Sequence, residues 1–144
     1  MLGLTGDRWH SRVVLPEEKF LPYSGAMMSI DPSGRGQDET SYCISKFLNG
    51  QIYILDCGGF KGGYEPKTLS KLAHLAKEYK VNIIQAEPSF GDGMFVEILK
   101  PILREIYPCT LEDGPRPSVM KEARIIDTCE PLLNQHRILS LIHI

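Results

Sequence analysis

The sequence predicts an α/β fold: a mixed sheet that starts as an antiparallel three-strand meander, continues with parallel strands, and is flanked by helices. Three apolar runs of strand length follow one another between residues 26 and 56. The pair Asn49-Gly50, which favours a two-residue hairpin turn, separates the second run from the third. From residue 66 onward, segments with apolar residues at helical spacing alternate with short apolar runs, the pattern of strands joined by helices.

The first three strands are assigned to apolar runs bounded by turn residues. They cover residues 26–30, 42–47 and 51–56. Two glycine pairs follow within residues 58–63. Because paired glycines interrupt regular structure, we expect the third strand to end before them.

The first helix is predicted over residues 66–80, where apolar side chains share one face: Leu69, Leu72, Ala73, Ala76 and Tyr79. Pro66 is tolerated at its start, because the first-turn N–H groups of a helix have no partner within the helix. The apolar run over residues 81–87 follows as the fourth strand.

A second helix begins near Met94, and its apolar residues also share one face: Met94, Phe95, Ile98, Leu99, Ile102 and Leu103. Pro101 lies inside this segment and is expected to kink the helix or end it early, because proline lacks the N–H that a helix interior needs. Residues 107–111 are read as a fifth strand, and residues 118–134 as a third helix.

Length and composition indicate one folded domain with an ordinary core. The chain has 144 residues, of which 42% are hydrophobic and 24% charged, with a formal net charge of -2. No global basic field attracts nucleic acid, so any DNA contact must come from local Lys and Arg residues or from metal ions. The sequence contains neither a signal peptide nor an apolar run long enough to cross a bilayer.

The four cysteines lie at positions 43, 57, 109 and 129 and form no C-x-x-C pair. No histidine lies at zinc-finger spacing from them. Because most of them lie in apolar context, we expect buried free thiols, which fit a reducing cytoplasm.

Two acids follow buried strands at matching positions. Asp31 ends the first strand and Glu87 ends the fourth, and a glycine-containing turn follows each of them. Open α/β sheets place their ligands at such strand ends. Carboxylates are hard oxygen ligands for divalent ions, and a pair of ions about 3.5–4 Å apart can hydrolyse a phosphodiester. The sequence therefore predicts a metal site and a phosphodiester hydrolase, although Asp31 also suits a turn and Glu87 also suits a surface strand end.

A right-handed crossover would return the fourth strand beside the first and parallel to it. Asp31 and Glu87 would then lie on adjacent strand ends, within reach of a shared ion. This order of elements is the ribonuclease H-like layout.

Three blocks of sequence carry a more specific resemblance. They read IDPSGRGQDET at residues 30–40, EPSFGDGMF at residues 87–95, and MKEARI at residues 120–125, with Asp127, Glu130 and Pro131 after the last. From about residue 23 to residue 138 the chain resembles the nuclease domain of bacteriophage large terminase subunits, the DNA-packaging motors, and most of all the podovirus-type branch.

The resemblance implies an endonuclease that cuts concatemeric double-stranded phage DNA with two Mg²⁺ or Mn²⁺ ions. It assigns Asp31 as the catalytic acid that bridges both ions and Glu87 as the catalytic acid that binds one of them. Asp38 is assigned to the metal site as an outer contributor, and the family's third acid would lie beyond residue 138. Phosphate contacts are expected from three basic residues: Arg35, Lys121 and Arg124.

The resemblance also implies partners and a domain organisation. Residues 1–24 are expected to lead in from an ATPase domain, and residues 25–138 to form the nuclease domain without its C-terminal part. Residues 139–144 do not resemble the family and are expected to be a non-native tail, with a natural terminal strand as the alternative. The G-x-x-x-x-G-K-S/T motif is missing, so the chain has no ATP site of its own. The other expected partners are the small terminase subunit and the portal. No membrane partner is expected, and the expected location is the host cytoplasm.

Two alternatives remain open from the sequence. A Holliday-junction resolvase or transposase-like nuclease of the same fold also begins with an Asp at the end of its first strand. A non-catalytic fragment that acts only in motor assembly is the alternative from a different class.

Overall fold

The structure is a computed structural model, and it describes residues 25–33, 38–88, 93–114 and 120–142, apart from the side chain of Lys121. The predicted lead-in, residues 1–24, lies outside the described residues. The elements in chain order are β1 (Gly25–Asp31), β2 (Thr40–Leu48), β3 (Gln51–Phe60), α1 (Pro66–Glu78), β4 (Ile83–Ala86), α2 (Met94–Ile106), β5 (Thr110–Asp113), α3 (Lys121–Asn134) and β6 (Ile138–Ser140).

The strands form one mixed sheet in the order β5-β4-β1-β2-β3-β6. β1, β2 and β3 pair antiparallel, as the predicted meander requires. β4 lies parallel to β1, and β5 lies parallel to β4. The crossover through α1 thus returns β4 beside β1, which confirms the predicted fold class.

The β2–β3 hairpin turns at the residues that the sequence indicates. Asn49 and Gly50 have φ angles of 50° and 75°. Two consecutive positive φ angles are what a type I′ hairpin turn requires, and the Asn-Gly pair meets that requirement. The Nε of Arg137 donates a hydrogen bond of 2.8 Å to the carbonyl of Gly50, which ties the turn to the segment after α3.

The predicted end of the third strand before the glycines is wrong, because β3 continues through Gly58 and Gly59 to Phe60. The Tyr42 ring of the neighbouring strand lies against Gly58, where an added Cβ would be 3.0 Å from its hydroxyl oxygen. Tyr42 also stacks on Phe60 with ring centroids 5.5 Å apart. Glycine here leaves room for an aromatic ring, so strand pairing and packing outweigh its weak strand preference.

The predicted early end of the second helix at its proline is wrong, and the alternative of a kink there stays a prediction. α2 runs five residues past Pro101, to Ile106. Phe95, Leu99 and Leu103 are all at most 3% exposed, so burial of the apolar face holds the helix together across the missing hydrogen bond. Tertiary packing therefore outweighs the tendency of Pro101 to end the helix.

The core lies on one face of the sheet. Alternate residues of β1 point to opposite faces, and Ala26, Met28 and Ile30 are buried under α1 and α2. Asp31 lies on the opposite face and is only partly exposed. The layer formed by α1 and α2 therefore covers only one face of the sheet, and Asp31 lies on the face that they do not cover.

The expectation of buried cysteines is wrong. Cys57 is exposed, and the other three thiols are half-buried: Cys43, Cys109 and Cys129. Apolar neighbours in the sequence do not report burial in a strand, because alternate residues of β2 and β3 lie on the face that α1 and α2 do not cover.

A short strand forms near the chain end, where the sequence offered a terminal strand only as the alternative to a non-native tail. β6 pairs parallel with the edge of β3, with Ile138 opposite Ile52. Its residues are half-buried or exposed. The assignment of residues 139–144 to a non-native tail stays a prediction. Among the described residues, none of the helices has the length and apolar character needed to span a membrane.

Candidate active site

Asp31 and Glu87 come from equivalent positions of two adjacent parallel strands. Asp31 is the last residue of β1, and Glu87 follows β4 directly. Ile30 pairs with Ala86 in the parallel register, and the N–H of Glu87 donates a hydrogen bond of 2.9 Å to the carbonyl of Ile30. Strand pairing therefore continues to the two acids and brings them to the same edge of the sheet.

Both acids line one open pocket of about 330 Å³. Its floor is the sheet face opposite the core, with Ser29 of β1 and Gln85 of β4 beside the acids. Arg124 of α3 closes it from one side. The pocket thus combines two carboxylates with one guanidinium at the carboxyl ends of β1 and β4.

Arg124 is the cation nearest to Glu87 in the described part of the site. Its Nη2 lies 3.7 Å from the Glu87 Oε1, and the two side chains are 36% and 27% exposed. An ion pair this long and this solvated stabilises the fold by about 0–1 kcal/mol. The Nε of Arg124 is buried without a hydrogen-bond partner among the described residues, so a donor remains for an anionic group.

Tyr42 borders the pocket, but its ring packs against the core on the opposite face of the sheet and stacks on Phe60. Tyr42 donates a hydrogen bond of 2.9 Å to the Asp56 carboxylate. Burial, and then this hydrogen bond, raise the pKa of Tyr42 well above its usual range. Tyr42 is therefore a neutral donor held towards Asp56.

The remaining predicted site residues are not gathered here. Asp38 is exposed, two residues before β2, and is not among the residues that line the pocket. Arg35 lies outside the described residues. Lys121 opens α3, three residues before Arg124, but its side chain is not described. The roles of these three residues stay predictions.

The two acids fit a divalent ion by chemistry but supply only part of a ligand set. Asp31 and Glu87 provide the hard oxygen donors that Mg²⁺ and Mn²⁺ prefer. Among residues 25–33, 38–88, 93–114 and 120–142, no group of three or more His, Cys, Asp or Glu side chains could hold a metal ion.

Sequence reasoning missed several residues of the pocket wall. Gln85 hydrogen-bonds the Glu112 carboxylate at 2.6 Å, and Cys43 lies on β2 opposite Ser29. Alternation along β4 and β1 puts Gln85 and Ser29 on the same face as Asp31. This alternation identifies the neighbours of Asp31 only when the strand register is known, and the sequence does not determine that register.

Solved structures similar in fold include terminase nuclease domains. The large terminase nuclease from thermophilic phage G20c is 16% identical, with a TM-score of 0.56 over 80% of this chain and 57% of that chain. The human cytomegalovirus terminase nuclease domain, soaked with Mn and bound to an inhibitor, is 10% identical, with a TM-score of 0.55 over 82% of this chain and 63% of that chain. The sheet and the strand-end acids thus define the class as ribonuclease H-like.

Sequence comparison narrows the class to one family. The family model described as the terminase of bacteriophage T7, ribonuclease H-like domain, matches residues 30–138. The chain belongs to this family. It is 44% identical over 137 residues to the terminase large subunit of Enterobacteria phage T3, a match that covers 95% of this chain and 23% of that protein. The chain therefore spans about a quarter of the length of this relative.

Proposed function

We propose that this domain is the metal-dependent endonuclease of a DNA-packaging terminase and cuts concatemeric double-stranded DNA. The observation that carries the proposal is that Asp31 and Glu87, at paired ends of parallel strands, line one pocket with Arg124. Both carboxylates carry negative charge in one pocket, and a bound cation would lower the repulsion between them. Membership of the terminase family supports DNA as the substrate.

The proposed cofactor is Mg²⁺ or Mn²⁺, held by Asp31 and Glu87, with Asp38 contributing from outside. Two relatives by fold support a divalent ion: the cytomegalovirus domain was soaked with Mn, and the nuclease domain of bacterial virus Sf6 was solved with manganese, 12% identical at a TM-score of 0.51 over 69% of this chain and 42% of that chain. When bound, such ions activate water for attack and stabilise the leaving oxygen of the phosphodiester.

The protein's own residues bind and orient the reactants. Asp31 and Glu87 are held by the paired ends of β1 and β4, so their carboxylates need little reorganisation. Arg124 lies beside Glu87 and offers its buried Nε to a DNA phosphate. Arg35 and Lys121 are proposed to add phosphate contacts, which carry no sequence information.

The proposed setting is the packaging motor in the host cytoplasm. An ATPase domain would drive the DNA, and the small terminase subunit and the portal would select and receive it. The relative from phage T3, a terminase large subunit about four times the length of this match, supports this assignment. Base readout by the nuclease is unnecessary when partners choose the cutting position.

Metal binding by the chain itself tests the site directly. Mn²⁺ is titrated into the protein, and the free ion is followed by its electron paramagnetic resonance signal. Asp31→Asn and Glu87→Gln should each weaken Mn²⁺ binding by at least about 10-fold, because each removes a direct ligand. Glu97→Gln is the matched control, since Glu97 is an exposed acid on α2 that pairs with Lys100 at 3.1 Å. Binding by Asp31→Asn at wild-type strength would refute the site.

Plasmid cleavage tests the activity. In a terminase large subunit that carries this domain, supercoiled plasmid should be nicked in Mn²⁺, and Asp31→Asn should abolish nicking while Glu97→Gln leaves it intact. We expect little or no cleavage by the 144-residue chain alone, because the third acid is predicted beyond residue 138. Cleavage by the Asp31→Asn subunit would exclude Asp31 from catalysis.

A further inference from the structure

Two free cysteines face each other across the β2–β3 hairpin. Cys43 of β2 and Cys57 of β3 are directly opposite in the antiparallel register. Their sulfur atoms lie 2.9 Å apart, with the Cys57 thiol donating to the Cys43 sulfur. Neither acid of the proposed nuclease site takes part in this contact.

The backbone geometry suits a covalent bond between the two sulfurs. Residues directly opposite in an antiparallel pair have Cα atoms about 4.5–5.5 Å apart, within the range of about 4.4–6.8 Å seen for disulfides. The sulfurs need to approach by only about 1 Å to reach a disulfide length of about 2.05 Å. Bond formation therefore requires small side-chain rotations and no movement of the strands.

The two thiols differ in access. Cys57 is exposed, while Cys43 is half-buried and forms part of the pocket wall. Burial, and then the contact with Cys57, raise the pKa of Cys43 to about 12. A reagent from solution therefore meets Cys57 first, and Cys43 lies behind it at reacting distance.

We propose that Cys43 and Cys57 form a reversible dithiol–disulfide site whose oxidant is a small-molecule disulfide such as oxidised glutathione. The Cys57 thiolate attacks one sulfur of the oxidant, breaks its S–S bond and releases one thiol, which takes up a proton. The Cys43 sulfur then attacks the Cys57 sulfur of the mixed disulfide, loses its proton and releases the second thiol. The protein loses two hydrogen atoms, and the oxidant gains them as two thiols.

This site is expected to be labile. An exposed disulfide between directly opposed strands is reduced more readily than a buried structural one, so dithiol reductants reverse the reaction. Because Cys43 lines the pocket beside Asp31, the new bond alters the pocket wall. The inference itself rests on the hairpin geometry and stands whether or not the domain cuts DNA.

The test counts thiols in the folded chain. The wild-type protein is incubated with oxidised glutathione, alkylated, and analysed by intact mass and by peptide mapping. The four free thiols should fall to two, with one peptide linking Cys43 to Cys57 and no glutathione retained. A dithiol reductant should restore all four. Cys109→Ser is the matched control, and it should form the same linked peptide.

The cysteine variants separate the two steps. In Cys43→Ser the reaction should stop at a glutathione adduct on Cys57, whereas Cys57→Ser should react more slowly because its remaining thiol is less accessible. The proposal is overturned if the wild-type chain keeps four alkylatable thiols, if it retains glutathione on Cys57 without the internal bond, or if the linked peptide forms only in denaturant. Each of these readouts is independent of nuclease activity.

Discussion

Arg124 contacts Glu87 and also has a donor that, in the described part of the chain, is free for the proposed DNA phosphate. Its Nη2 faces Glu87 at 3.7 Å, while its Nε is buried without a partner among the described residues. The long contact to Glu87 adds little stability, since both side chains are partly solvated. An unpartnered buried donor costs about 1–3 kcal/mol. A residue kept at such a cost is more easily explained by binding an anion than by stabilising the fold.

A substitution at Arg124 separates these two roles. Arg124→Ala should weaken binding of duplex DNA uniformly across sequences and lower the salt slope of log Kd by about 1, because one phosphate contact is lost. Its free energy of unfolding should fall by no more than about 1 kcal/mol, because the ion pair adds little stability and the unpartnered donor is removed with it. Fluorescence anisotropy over a range of salt concentrations and urea unfolding measure the two effects.

Arg104→Ala is the control for that experiment. Arg104 is an exposed arginine in the last turn of α2, on the helical side of the sheet. It should leave both the affinity and the salt slope unchanged. An equal loss of slope in both variants would mean that the effect reflects total charge and that Arg124 makes no specific phosphate contact.

At the scale of elements, α2 shows packing overriding a local preference. Pro101 removes one backbone hydrogen bond and crowds the preceding turn, and this leads to the expectation of an early end. The helix nevertheless runs to Ile106, because Leu99 and Leu103 are buried against the sheet. The side chain of Pro101 is exposed, so the proline destabilises the helix through its backbone and not through side-chain packing.

Removing that proline should therefore stabilise the protein. Pro101→Ala is expected to raise the free energy of unfolding by about 1–3 kcal/mol, because it restores the helix hydrogen bond. Pro66→Ala is the control: Pro66 occupies the first turn of α1, where no intrahelical bond is lost, and it should change stability by less than about 0.5 kcal/mol. Urea unfolding followed by circular dichroism measures both. A destabilised Pro101→Ala variant would contradict this account of α2.

At the scale of the whole molecule, the sheet divides into a buried centre and an exposed edge. β1 and β4 contribute fully buried residues such as Met28 and Ile84. β6, at the β3 edge, is half-buried or exposed throughout, and Leu139 is 36% exposed. Because stability follows buried apolar area, the last residues should matter little to the fold.

A deletion tests that division. Removing residues 139–144 should lower the free energy of unfolding by less than about 1 kcal/mol, because little apolar surface is lost. Leu99→Ala sets the scale, since it empties a fully buried position and should cost about 2–5 kcal/mol. Thermal unfolding of both variants compares them. A deletion as damaging as Leu99→Ala would show that these residues belong to the core of the domain, against their assignment as a non-native tail.

Much of the fold was predictable because its signals are local. The Asn49-Gly50 turn, the apolar face of α1 and the acids after β1 and β4 each follow from residues close together in the chain. β3 was cut short because the room that Gly58 leaves for Tyr42 depends on a neighbouring strand. The place of β6 in the sheet was not predicted, because its pairing with β3 joins residues far apart in sequence.

Amino-acid order was enough to predict the class of fold, the family and the positions of the two acids at strand ends, since periodicity, turn residues and motif spacing are properties of the chain alone. It could not define which side chains share the pocket. Strand register placed Gln85 beside Asp31, put the two thiols of the β2–β3 hairpin in contact, and turned Arg124 towards Glu87. These contacts join residues that are far apart in sequence, and they form only when the strands pair in the correct register, because the register decides which side chains share a face.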